Sequence, residues 1–319
     1  MLIRFWGTRG SLPAPIGSDA LRAKLRAALL AANGRHFPDP AAVDRFMAEE
    51  LPFSLSGCFG GNSSCVQIEA DTEAYFICDL GTGARELGNH LIATQGPGRK
   101  HRFNIFMSHL RWDHIMGFPF LAHAYIPGNT IRIYGCHPTL REAFERQQSA
   151  PCFPVDFSSL AATVEFVQLE PGKEIEIDGV RVRPILQNHA GNSYGYRFVR
   201  DGKAVVYSTD NEHKFEVLDR NYPFVAFYQD ADVLIFDSMY SLADAISVKE
   251  DWGHSSNMVA VELAQMAGVK HLVLFHHEPI HDDTMIENIL AETRRYAEIS
   301  GPDIELKITA AYDGLEIAV

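Results

Sequence analysis

The sequence contains no long apolar run and no obvious export signal. None of its apolar stretches approaches the ~20 residues that a membrane-spanning helix needs. Residues 1–6 read as a strand and lack the basic-then-apolar arrangement of a secretory signal peptide. The sequence therefore predicts a cytoplasmic protein with no membrane partner.

Cysteine is also scarce. The five cysteines are odd in number, and no pair of them has C-x-x-C spacing. This argues against a disulfide framework and against a zinc site built from thiolates. Cys78 lies in the apolar run 75–78, which is typical of a buried and unreactive thiol.

Positive charge is in short supply. Lys and Arg number 28 against 41 Asp and Glu, which gives a formal net charge of −13. Such a chain repels polyanions at long range, so its charge argues against a long nucleic acid as substrate. The densest basic run, at 99–102, is predicted to be a solvated turn before a strand.

The 319 residues show no low-complexity linker and no repeat, which favours a single domain over 1–319. Short runs rich in Val, Ile and Phe predict many strands. They lie at 2–6, 64–69, 74–79, 103–108, 130–135, 179–187, 203–209, 232–237, 271–276 and 304–311. Helices are predicted at 18–32, 40–50, 138–148, 255–267 and 282–298. This mixture fits either a two-sheet sandwich or one doubly wound sheet.

Histidine and aspartate follow the predicted strands repeatedly. The strand at 103–107 leads to His109, and Asp113 and His114 come shortly after it. Other strands lead to residues of the same two types, at His189, Asp210, Asp237, His276 and His277. A lone histidine after a strand is usually structural, but this repetition indicates metal ligands converging from several strand ends.

Residues 108–114 read SHLRWDH and resemble the H-x-H-x-D-H signature of the metallo-β-lactamase superfamily. Further stretches are similar to its cyclic-nucleotide phosphodiesterase and tRNase Z-like branch. They are FWGTRGS at 5–11, GGNSS at 60–64, DLGTG at 79–83, STD at 208–210 and WGHS at 252–255. The resemblance spans residues 5 to about 280. It implies an α/β fold, the αββα four-layer sandwich, with the metals at one edge of the two sheets.

The resemblance also implies the roles of individual residues. One metal would be held by His109, the residue at position 111 and His189. The second would be held by Asp113, His114 and His276, and Asp210 would bridge the two. His254 is similar to the proton donor of the phosphodiesterase branch, and Asp79 to a carboxylate that supports the ligands. That Asp237 orients His254 is a further hypothesis.

Arg111 departs from the signature. A guanidinium keeps its proton and has no lone pair for a cation, so Arg111 is not a ligand. Three interpretations stay open: an active hydrolase in which Arg111 clamps a phosphate, a degenerate site that binds without turnover, or a substitution in a chain whose relatives have His there. Asp113, His114, Asp210 and His276 suffice for one zinc ion. We therefore expect one tightly bound ion and at most two, with Mn²⁺ or iron as alternatives to Zn²⁺.

The resemblance implies a metal-dependent hydrolase, and the similarity of the GHS element at 253–255 to the phosphodiesterase branch favours a small phosphodiester such as a cyclic nucleotide, although an ester substrate also fits. Asp113, His254 and Arg111 are the predicted catalytic residues. A non-catalytic metal or ligand sensor and an oxygen-handling di-iron protein are the alternatives. A homodimer is left open.

The segment at about 15–55 is predicted to be a helical insertion. Its apolar stripes are Leu21, Leu25 and Leu29 in the first helix and Val43, Phe46 and Met47 in the second. We expect both stripes to pack against the sandwich rather than to form a substrate lid or a dimer contact.

Overall fold

The strands form two sheets of seven. The computed structural model describes residues 1–214, 219–240 and 253–319. One sheet has the strand order β14-β1-β2-β3-β4-β5-β6, and the other has the order β13-β12-β11-β10-β9-β8-β7. In chain order the strands are Leu2–Gly7, Cys65–Glu69, Ala74–Cys78, Arg102–Phe106, Thr130–Gly135, Thr163–Gln168, Ile175–Ile177, Val180–Gln187, Ser193–Arg200, Lys203–Ser208, Val233–Asp237, His271–Phe275, Lys307–Ala310 and Glu316–Ala318.

Helices cover the outer faces of both sheets. Within the described ranges we number them α1 Ser18–Ala31, α2 Pro40–Glu49, α3 Phe53–Ser56, α4 Gly83–Gln95, α5 Trp112–Ile115, α6 Leu140–Gln147, α7 Pro223–Tyr228, α8 Asn257–Met266 and α9 Asp283–Ser300. Short 3₁₀ turns lie at Phe118–Phe120, Ala122–Tyr125 and Phe157–Ser159. None of the helices described is long and apolar enough to cross a membrane.

The core has three layers because side chains alternate across each sheet. In β11, Val233 and Ile235 face the other sheet, whereas Leu234 and Phe236 face the helices. The parallel strands at the centre of each sheet are buried on both faces, which explains their continuous apolar sequences. The expected αββα sandwich is confirmed.

The helical insertion only partly follows its prediction. α2 begins as expected, with the Asp39 carboxylate accepting a hydrogen bond from the Ala42 N–H at 2.8 Å and Pro40 in the first turn, and it buries Phe46. α1 buries none of its residues, and its leucines are exposed. The expectation that the α1 stripe packs against the sandwich is therefore wrong.

Candidate metal centre

The predicted site residues converge where the two sheets meet. β3 and β4 of one sheet lead to Asp79 and His109, and β8, β10 and β12 of the other lead to His189, Asp210 and His276. Within each sheet these strands run in the same direction, so their carboxyl ends share an edge. The fold thus brings together side chains from segments that are far apart in the sequence.

The larger group of candidate ligands consists of Asp113, His114, Asp210 and His276, and His114 lies at its centre. The Nε2 atom of His114 is 3.1 Å from Asp113 Oδ2, 3.2 Å from Asp210 Oδ2 and 3.3 Å from His276 Nε2. His276 Nε2 lies 3.6 Å from Asp113 and 3.3 Å from Asp210. Ligand atoms that share one ion at bond lengths of ~2.0–2.2 Å lie at separations of this order.

The smaller group contains His109, His189 and Asp210, whose ligand atoms lie within 4.8 Å of one another. Asp210 Oδ1 is 3.6 Å from His109 Nε2 and 3.8 Å from His189 Nε2. Neither Nε2 atom has a hydrogen-bond partner in the part of the chain that the structure describes, although both are buried. Asp210 contacts ligand atoms of both groups, and His109 also lies within 4.8 Å of Asp113 and His114.

Asp79 supports the candidate ligands through hydrogen bonds. Its carboxylate is fully buried and accepts hydrogen bonds from the Ser108 N–H at 2.8 Å, the His114 Nδ1 at 2.7 Å and the Tyr207 hydroxyl at 2.8 Å. Because Nδ1 of His114 donates to Asp79, its Nε2 is turned toward the cluster. Asp79 is therefore placed as the predicted supporting carboxylate.

The protonation of the cluster suits a cation. Burial lowers the pKa of His109 well below its usual range and also lowers that of His189, so both present neutral nitrogens. Burial also opposes a charge on His114, yet the carboxylates of Asp113, Asp210 and Asp79 raise its pKa well above the usual value. A positive charge is thus stabilised between the carboxylates. The donor set of imidazoles and carboxylates fits a metal in that position.

His254 lies beside this cluster. Its Nδ1 donates to Asp237 Oδ2 at 2.6 Å, and its ring centroid is 5.1 Å from that of His276 and 5.3 Å from that of His189. Burial works against its charged form, but Asp237 raises the pKa of His254 to about 9. The structure also brings Asp237 and His254 within 4.8 Å of Asp210 and His276. Trp252 of the same motif lies outside the described residues.

Arg111 lies close to His189. It is exposed, and its Nη2 donates to the Ala190 carbonyl at 3.0 Å, one residue beyond His189. Its charge adds to the effect of burial in lowering the pKa of His189, and it opposes without cancelling the effect of Asp237 that raises the pKa of His254. The guanidinium therefore places a positive charge beside the smaller group, where the signature motif has a histidine.

Sequence reasoning did not single out His137, which follows β5 at the same sheet edge. Its Nε2 donates to the Asn192 carbonyl at 2.8 Å, and its ring lies across Tyr194 with the centroids 4.9 Å apart. It thereby connects the first sheet to the loop that carries His189. The sequence could have indicated His137, because it is another histidine that closely follows a predicted strand.

Three site positions have left-handed backbone. The φ angles are +59° at Asp79, +51° at Asp210 and +63° at His276. Residues other than glycine adopt this conformation at a cost, aspartate less than most. Asp79 and His276 directly follow a strand end and Asp210 comes two residues after one, so in each case the turn directs the side chain across the edge of the sheet.

Asp313 contacts the loop that follows β1 and contains Thr8 and Ser11. In this loop Ser11 donates its N–H to Asp113 Oδ2 at 2.9 Å. Asp313 accepts hydrogen bonds from the N–H groups of Gly61 and Asn62 at 3.0 Å and from the Thr8 hydroxyl at 3.1 Å. One carboxylate near the C-terminus thus ties together two loops at the site.

Asp313→Ala is expected to lower the free energy of unfolding by about 2–3 kcal/mol, because several buried donors lose a charged acceptor. Urea denaturation measures the change. Asp313→Asn keeps one acceptor oxygen and should fall between the wild type and the alanine variant. An alanine variant as stable as the wild type would contradict this role.

Comparison with known proteins identifies the family of this chain. The family model described as beta-lactamase superfamily domain matches residues 73–277. Ribonuclease Z of Methanosarcina acetivorans is 24% identical over 290 residues, covering 74% of this chain and 88% of the relative. The chain belongs to the beta-lactamase superfamily.

Solved structures share the fold at low identity. A diphosphatase from the PhnP family superposes with a TM-score of 0.62 at 19% identity, covering 100% of this chain and 97% of that one. Zn²⁺-bound PqqB from Methylobacterium extorquens superposes with a TM-score of 0.64 at 13% identity, with 100% of both chains covered.

Proposed function

We propose that this protein is a metal-dependent phosphodiesterase for a small phosphodiester. The observation that carries the proposal is the buried convergence of His109, Asp113, His114, His189, Asp210 and His276 at one sheet edge, with His254 and Arg111 beside it. Imidazole and carboxylate ligands of this kind suit zinc, with manganese or iron as alternatives. The PqqB structure with this fold holds Zn²⁺.

Asp113, His114, Asp210 and His276 would hold the tightly bound ion, which would lower the pKa of a bound water toward ~7. Asp113 would orient that water, and its Oδ2 accepts a hydrogen bond from the Ser11 N–H at 2.9 Å. His254, held by Asp237, would protonate the leaving oxygen. Arg111 would bind a phosphate oxygen and stabilise the charge that develops on it.

The substrate proposal rests on the net charge and on the similarity of His254 to the proton donor of the phosphodiesterase branch. A net charge of −13 opposes a long polyanion but not a single diester, and the PhnP-family neighbour is a diphosphatase. Processing of RNA is the second candidate function, because the sequence relatives are ribonucleases Z. A non-catalytic sensor and a di-iron oxygen-handling protein are the remaining alternatives.

The test is an assay of the metal-loaded protein on four substrates: bis(p-nitrophenyl) phosphate, cyclic nucleotides, a nucleoside diphosphate diester and a tRNA precursor. We expect hydrolysis of small diesters without cleavage of the precursor. Efficient cleavage of the precursor would replace the proposal by the ribonuclease. Full metal loading with no hydrolysis of any ester would favour a sensor, and bound iron with oxygen consumption would favour the di-iron protein.

Arg111→His is expected to raise the tightly bound metal from about one ion per chain to about two, because the smaller group gains a neutral nitrogen and loses a positive charge. Elemental analysis after gel filtration measures the content. Arg111→Lys is the matched control, since it keeps the charge and should stay near one ion. Two tightly bound ions in the unmodified protein would refute this account.

A further inference from the structure

Gly253 connects two functional side chains of the site. Its carbonyl accepts a hydrogen bond from the Nδ1–H of His189 at 2.8 Å, and its peptide bond leads directly to His254. Because a peptide bond is planar, this carbonyl and the backbone N–H of His254 belong to one rigid unit. The candidate metal ligand and the candidate proton donor are therefore attached to the same peptide, and their ring centroids lie 5.3 Å apart.

The contact with Gly253 determines how His189 can bind a metal. A carbonyl oxygen can only accept a hydrogen bond, so Nδ1 of the neutral imidazole must carry the ring proton. The Nε2 atom of His189 then keeps its lone pair, and it is buried without a hydrogen-bond partner among the described residues. It lies 3.8 Å from Asp210 Oδ1. Gly253 thus selects the tautomer whose Nε2 atom is available to a cation.

Two features of the backbone require glycine at this position. The φ angle of Gly253 is +88°, which residues with a side chain rarely adopt. A Cβ atom built on this backbone would lie 2.3 Å from Nδ1 of His189 and 2.8 Å from its Cε1. A larger residue would therefore displace either the imidazole ring or the peptide to which it is bonded.

Glu212 fixes the position of Gly253. Its Oε2 accepts a hydrogen bond from the Gly253 N–H at 3.0 Å. Its own backbone N–H donates to the carbonyl of Asn188 at 2.9 Å, and Asn188 is the residue before His189. A carboxylate forms a stronger hydrogen bond with an N–H group than a neutral acceptor does. Glu212 therefore sets the distance between the Gly253 peptide and the segment that carries His189.

We infer that Gly253 is a positioning residue for both His189 and His254, and that Glu212 holds it in place. A displacement of this peptide would turn the ring of His189 and move His254 at the same time. The role toward His254 rests on the proposed function, because it concerns proton donation. The role toward His189 concerns only the tautomer of its ring and can be tested without any substrate.

The first test follows the ring proton of His189 by NMR in the zinc-loaded protein with isotope-labelled histidine, and His189→Asn assigns the signal. We expect Nδ1 to be protonated and to exchange slowly with solvent. Gly253→Ala should abolish this signal or speed its exchange at least about tenfold. Gly172→Ala is the matched control, because its φ is +82° and a Cβ there would meet no atom within 4 Å. A wild-type His189 protonated at Nε2, or a slow signal kept in Gly253→Ala, overturns the inference.

The second test measures kcat on diesters with an alkoxide and with a p-nitrophenolate leaving group. Glu212→Ala should lower kcat about 10- to 100-fold for the alkoxide and less for p-nitrophenolate, with zinc content unchanged. Glu212→Gln keeps an acceptor oxygen for the Gly253 N–H and should restore values close to the wild type. Equal losses in both variants, or losses independent of the leaving group, overturn the role toward His254. A wild type that hydrolyses no diester but keeps the slow Nδ1–H signal refutes the proposed function and supports the role toward His189.

Discussion

Asp210→Asn is expected to remove most of the tightly bound metal and to lower kcat/KM toward bis(p-nitrophenyl) phosphate by at least about 1,000-fold. The Asp210 carboxylate reaches His114 and His276 on one side and His109 and His189 on the other. Asparagine has nearly the same shape but no negative charge, so the four imidazoles lose the carboxylate that they share. Elemental analysis and steady-state kinetics measure the two effects.

Asp201→Asn is the matched control for this variant. Asp201 has the same left-handed backbone as Asp210, with φ +51° at both, but it lies exposed in the turn between β9 and β10. The same chemical change there should leave metal content and kcat/KM unaltered. If Asp210→Asn kept the metal and the activity of the wild type, the bridging role would have to be abandoned.

His254→Ala is expected to lower kcat by about 100- to 10,000-fold, the range typical of a lost general acid, while metal content stays at the wild-type level. The loss should be greater for a diester with an alkoxide leaving group than for one that releases the stable p-nitrophenolate anion, because the alkoxide needs the proton more. Kinetics on both diesters, with metal analysis of the same samples, measure the two effects.

Asp237→Asn separates positioning from proton donation. Its amide still holds the ring of His254 but no longer stabilises the imidazolium, so we expect a smaller loss of kcat with the same dependence on leaving group. Loss of metal in either variant would instead make the residue a ligand, since Asp237 and His254 lie within 4.8 Å of Asp210 and His276. Unchanged turnover in Asp237→Asn would contradict the role of Asp237 in stabilising the imidazolium of His254.

The candidate site could be anticipated from the sequence because parallel strands end at one edge. Each buried strand is a short run of Val, Ile and Phe, and the residue after it is placed by the sheet rather than by its neighbours in sequence. His109, Asp210 and His276 could therefore be grouped before any coordinates were known. The strand β9, at Ser193–Arg200, was not predicted, because it lacks a clear apolar run.

Other features depend on contacts between segments far apart in sequence. Asp313 reaches Thr8 and the 60–62 loop, and nothing in the residues around it distinguishes it from a surface aspartate. The orientation of α1 was misjudged for a similar reason. A leucine stripe gives the period of a helix, but it does not say whether the protein's own core or another molecule covers that face.

The left-handed turns at Asp79, Asp210 and His276 have a consequence for how stability is distributed in this fold. Strained conformations of this kind cost of the order of 1–3 kcal/mol each when the residue is not glycine. The metal-free protein therefore has a conformational free-energy cost at the edge where its two sheets meet. A bound ion would compensate for this cost by linking side chains from both sheets. We therefore expect removal of the metal to loosen these strand ends before the buried strands behind them.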